Sequence, residues 1–138
     1  MKTIISLTSI PSRFKTLPAI VYDLEKHQGV DEIWVNIPYK YNRKKYKSNE
    51  YFKNNRFPDT EVVLPDFSLC SKVVINRCMD YGPGTMYMGP ANSKECDADL
   101  VIVVNGDTKY PSDMSKKFVD LYTSEPCCWC MSGFRVKE

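Results

Sequence analysis

Residues 2–38 read KTIISLTSIPSRFKTLPAIVYDLEKHQGVDEIWVNIP, and their pattern decides the fold. The run from Lys2 to Ile10 is short, rich in β-branched residues and strand-like, and Pro11 breaks it. Phe14, Leu17, Val21 and Leu24 then recur at three- and four-residue steps, which is one face of an amphipathic helix. Thr16 can cap that helix, Pro18 suits its first turn, and Gly29 ends it. Ile33, Val35 and Ile37 alternate in a second strand that Pro38 stops. Strand, helix, strand in this order implies a parallel pair joined by a right-handed crossover.

Outward from this unit, TEVVLPD (60–66) predicts a third strand, SKVVINRC (71–78) a fourth and DLVIVVN (99–105) a fifth. A helical turn can follow Thr85. The segment from Tyr110 to Tyr122 predicts a helix with Met114, Phe118, Leu121 and Tyr122 on one face. CCWCMSGF (127–134) is strand-like. The expected fold class is α/β, in three layers, with a mostly parallel central sheet and helices on both faces. A chain of 138 residues with 43% hydrophobic content suits one domain around one core.

The net charge is +2, so no global field demands nucleic acid or membrane. No apolar run approaches the ~20 residues of a membrane span. The opening MKTIISLTSIPSR has too short an apolar part for a signal peptide, so the expected location is cytoplasmic. In a reducing compartment the six cysteines stay thiols. Cys127, Cys128 and Cys130 then read as small apolar residues of a buried strand, and zinc is weakly supported by their spacing.

Three strand ends carry polar clusters. Ligands of open α/β sheets bind beyond the carboxyl ends of the strands, where loops diverge. After the first strand come Thr8, Ser9, Ser12 and Arg13, hydroxyls and a guanidinium suited to phosphate. The same residues also suit helix capping and a solvated arginine. After SKVVINRC come Arg77, Asp80 and the Gly82-Pro83-Gly84 turn, where Arg77 and Asp80 can also pair with each other. The apolar run Val101–Val104 leads into Asn105, Gly106 and Asp107. Gly106 allows close approach, and Asp107 offers the hard oxygen that Mg²⁺ or Mn²⁺ prefers. Asn-Gly is equally a common turn signal.

Taken in order, ISLTSIPSRF, VDEIWVNIP, VVINRCMDYGPGT and LVIVVNGDTKYP resemble small nucleotide-sugar glycosyltransferases of the GT-A fold, of the type found in bacteria and in large DNA viruses of algae. The resemblance covers nearly the whole chain. It implies a hexosyltransferase-type activity that moves a sugar from a UDP- or GDP-linked donor to a glycan or glycoprotein acceptor. Thr8, Ser9 and Arg13 would face the nucleotide, and Arg77 and Asp80 would lie beside the base or diphosphate. NGD takes the place of the family's Asp-x-Asp motif. Asn105 and Gly106 would then lie on the ribose side, while Asp107 binds the Mn²⁺ or Mg²⁺ on the diphosphate. No catalytic base is identified.

Three features depart from the family pattern. Asn105 stands where the motif has its first acid, Met86 stands where a lysine usually follows DYGPGT, and residues 1–138 are expected to form one GT-A-like domain lacking most of the acceptor-binding part with which relatives usually continue after the place of MSGFRVKE. An active enzyme would then have its acceptor site completed by a homo-oligomer or a second polypeptide. The alternative is an impaired relative that acts as a binding or interaction protein. A third reading comes from Lys40–Arg56, where seven basic residues and one acid are interleaved with Tyr41, Tyr46, Tyr51 and Phe52. Basic charge with stacking rings is how single-stranded nucleic acid is held, so a nucleic-acid-binding module is the weakest alternative.

Overall fold

The computed structural model describes residues 1–41 and 62–130. Among them are four strands: β1 (Thr3–Thr8), β2 (Glu32–Pro38), β3 (Val73–Cys78) and β4 (Leu100–Val103). Three α-helices accompany them: α1 (Leu17–Leu24), α2 (Thr85–Asn92) and α3 (Met114–Ser124). The sheet order is β3-β2-β1-β4, and every pair is parallel. This is the mixed α/β arrangement that the opening strand–helix–strand pattern predicts. The basic stretch Lys40–Arg56 lies outside the described residues from position 42 onward.

Register divides the sheet into two unlike faces. Ile5, Ile33 and Ile102 share one row, and Leu7 and Val35 the next, on the face that packs against α1. Leu17, Val21 and Leu24 supply the helix side and are buried, each stabilising the fold by about 1.5–3 kcal/mol. Met114 and Phe118 bring α3 onto the same core. Thr16 occupies the N-cap position of α1 but does not cap it. Its hydroxyl donates to the Arg13 carbonyl instead, at 3.1 Å. Gly29 follows the helix with φ of +77°, a conformation side chains disfavour.

The opposite face mixes buried apolar and polar side chains. Ile4, Ser6, Trp34 and Asn36 lie there, beneath α2. Asn36 Nδ2 donates to Ser6 Oγ at 2.8 Å and to the Leu7 carbonyl at 3.0 Å. Asn76 Nδ2 in turn donates to Asn36 Oδ1 at 2.8 Å. Pro90 sits inside α2 and has no N–H to give the Met86 carbonyl four residues earlier. Ser6 Oγ donates to that carbonyl at 2.6 Å. Gly89 permits the close approach, because a Cβ there would lie 2.2 Å from Asn36 Oδ1.

Two expected strands are not formed by the described residues. Val62–Asp66 of TEVVLPD is unpaired. Pro65 within it cannot donate to a ladder. Val62 alone turns inward, giving its N–H to the Tyr39 carbonyl at 3.3 Å, while Val63 is 86% exposed. Cys127, Cys128 and Cys130 are likewise exposed and not part of a buried strand. Pro126 follows the end of α3 there, and the Trp129 indole donates back to the Glu125 carbonyl at 2.9 Å.

Candidate functional site at the strand switch point

In a sheet ordered β3-β2-β1-β4 the chain winds one way from β1 to β3 and the other way to β4. The crevice between β1 and β4, at their carboxyl ends, is where such sheets take ligands. Six of the eight candidate residues meet there: Thr8, Ser9 and Arg13 after β1, and Asn105, Gly106 and Asp107 after β4.

On the β1 side, Thr8 Oγ1 donates to the Asn36 carbonyl at 2.7 Å, so its hydroxyl proton is committed to the sheet. Ser9 is buried, and its carbonyl accepts the Tyr41 hydroxyl at 2.6 Å. Its own Oγ has no hydrogen-bond partner among the described residues. Pro11–Arg13 forms a 3-10 turn that brings Arg13 back over the crevice.

The β4 side is built around Gly106. Val104 N–H donates to the Ser6 carbonyl at 3.0 Å, carrying the strand pairing one residue further. A Cβ on residue 106 would lie 2.7 Å from the Thr8 carbonyl oxygen. The glycine is therefore required by the backbone of β1. Asn105 N–H donates to the Tyr110 hydroxyl at 2.8 Å, which closes the NGD turn on itself. Asp107 Oδ2 meets Arg13 Nη1 at 2.6 Å, an ion pair spanning the crevice with both side chains nearly half exposed.

Arg77, near the end of β3, and Asp80, just beyond it, stand apart. With strands about 4.8 Å apart, β3 lies roughly 10 Å from β1. The Arg77 guanidinium lies over the Tyr39 ring, 5.0 Å from its centroid, and Nη1 donates to the Val62 carbonyl at 3.4 Å. Asp80 Oδ1 accepts the Gly82 N–H at 2.9 Å, shaping a turn in which Gly82 has φ of +66°. Tyr39, half exposed at the end of β2, stands between the two groups. Neither Tyr39 nor Tyr110 is among the sequence-based candidates. Nothing local marks Tyr110 as the partner of Asn105, because the contact depends on the loop's closed shape.

A cavity of about 230 Å³ lies elsewhere, between α1 and residues 108–112, lined by Ile20, Asp23, Leu24, His27, Thr108 and Tyr110 among others. None of the eight candidates lines it. His27 Nδ1 lies 3.1 Å from Ser115 Oγ in this buried corner. Burial holds the His27 pKa below its ordinary value, against the opposing pull of Asp113 and Asp23.

As metal donors, the NGD turn offers one carboxylate and an exposed amide. Among the described residues no three His, Cys, Asp or Glu side chains gather to hold an ion. This donor set fits a hard cation that takes most of its oxygens from a diphosphate and water, as Mg²⁺ commonly does. It does not fit a self-sufficient protein cage. Among the described residues no helix is long and apolar enough to cross a membrane. Comparison of the chain with protein-family models, curated proteins and solved structures finds no match.

Proposed function

We propose that the chain is a GT-A-type glycosyltransferase domain that takes a sugar from a UDP- or GDP-linked donor and transfers it to a glycan or glycoprotein acceptor. The observation that carries this reading is the Arg13–Asp107 pair at the β1/β4 switch point. It puts a phosphate-binding guanidinium and a metal-binding carboxylate within one ligand's reach. Arg13 would hold the diphosphate, Asp107 would hold Mn²⁺ or Mg²⁺ against it, and Asn105 would lie on the ribose side. Bound there, the ion would neutralise charge on the leaving diphosphate. Thr8 and Ser9 would line the nucleoside side. Tyr39, Arg77 and Asp80 lie one to two strands further along the same edge, a nucleoside's length away. Exposed free thiols at Cys127, Cys128 and Cys130 suit a reducing cytoplasm.

Calorimetric titration of UDP, GDP and their sugars, with and without Mn²⁺, tests the donor site. One nucleotide should bind in a metal-dependent way, and Asp107→Ala should abolish the metal dependence. Absence of binding to all of them sinks the reading. A second reading, a binding protein that keeps the fold without the transfer step, is favoured by Asn105 in place of an acid. It predicts donor binding with neither transfer nor donor hydrolysis.

A further inference from the structure

Arg13 and Asp107 are each other's partner in the free protein, at 2.6 Å. A diphosphate needs the guanidinium, and a cation needs the carboxylate. Either ligand alone must break the ion pair and leave one charge without its partner. Both together break it once and give each charge a new partner. We infer that the Arg13–Asp107 pair couples the divalent cation to the diphosphate, so that the site discriminates against a free cation and against a metal-free nucleotide. This rests on the nucleotide-sugar reading of the same crevice.

The coupling follows from linkage. If the pair lowers the affinity for each ligand by one factor, it lowers the affinity for the two together by that factor only once. The mutual tightening of cation and nucleotide is thereby raised by the same factor, in both directions. The pair is half exposed, so the factor is modest, about 1.5- to 5-fold for an ion pair of this kind. The crevice itself resists simple rearrangement. Gly106 is wedged against the Thr8 carbonyl, and Tyr110 holds the Asn105 amide, so Asp107 is presented from a fixed turn. What can move is the long Arg13 side chain on its short 3-10 turn.

The test uses the full chain. Mn²⁺ alone is titrated by electron paramagnetic resonance, and UDP and GDP by calorimetry, each with and without Mn²⁺. The variants are Arg13→Gln, Lys15→Gln and Asp107→Asn. Lys15 is exposed two residues from Arg13 and serves as the control for a general loss of positive charge. Mn²⁺ alone should bind Arg13→Gln about 1.5- to 5-fold more tightly than the wild type, and the change in Lys15→Gln should be smaller. The factor by which Mn²⁺ tightens the nucleotide should fall in Arg13→Gln. Mn²⁺ binding that survives Asp107→Asn in full, or that is no tighter in Arg13→Gln, overturns the coupling while leaving nucleotide binding standing. A wild-type chain that binds no nucleotide under either condition defeats the functional reading, and the coupling with it.

Discussion

Ser6 donates its hydroxyl to the carbonyl of Met86, the one carbonyl in α2 that Pro90 deprives of a backbone donor. A side chain of the central strand thus completes the hydrogen bonding of the helix that covers it. The same oxygen accepts the amide of Asn36. Ser6→Ala leaves the Met86 carbonyl without this donor in a buried site and removes one of the acceptors of the Asn36 amide, which keeps the Leu7 carbonyl. The expected loss is about 1–3 kcal/mol of stability, read as a lower urea midpoint with an unchanged slope.

Two glycines near this helix make opposite predictions. Gly89→Ala places a methyl 2.2 Å from Asn36 Oδ1, and Asn36 is pinned by its own hydrogen bonds. Overpacking of this kind costs about 1–3 kcal/mol. At Gly84 the nearest atom to an added Cβ is Tyr81 Cβ at 3.9 Å, and its φ is −66°. Gly84→Ala should be neutral or stabilising by up to about 1 kcal/mol, because the unfolded chain loses freedom. Thermal unfolding of the two variants side by side separates them.

Tyr110→Phe keeps the ring and removes the acceptor of the Asn105 N–H. We expect a loss of about 0.5–1.5 kcal/mol and faster hydrogen exchange at the Asn105 amide, with the β1 amides unchanged. Exchange at Asn105 as slow as in the wild type would show that the turn is held by other means.

His27 gives the fold a pH dependence. Its pKa is lowered from 6.5 by burial, so the folded chain binds a proton less readily than the unfolded one. Stability should therefore rise with pH across the window below 6.5 and level off above it. Protonation also removes the ability of Nδ1 to accept from Ser115. Urea midpoints at pH 5.5 and 7.5 read the effect, and His27→Gln should flatten that part of the profile.

Much of the fold is legible in the sequence because period and burial coincide. Leu17, Val21 and Leu24 repeat every three or four residues and face the core, and Ile33, Val35 and Ile37 alternate and do the same. The buried polar side chains are not legible. Nothing in the strand patterns marks Ser6 and Asn36 as buried, and they are so because α2 covers them. Val62–Asp66 looks like a strand by composition, but Pro65 within it has no N–H to give a ladder. At the site, Arg13 and Asp107 are legible as polar residues that follow strands, whereas their direct contact depends on which strands are adjacent. Gly106 was read as a place for a ligand to approach, and its close neighbour is the Thr8 backbone.

Gly89 has a consequence for how the upper rim of the sheet is assembled. It is the one residue of α2 with no side chain, and it lies against Asn36. A slide of the helix by one position would set a Cβ into that amide, and a rotation would do the same. The contact therefore works as an index mark that fixes both the height and the azimuth of α2. Since α2 begins at Thr85, directly after the Asp80–Gly84 turn, that mark also sets where the turn stands above β3.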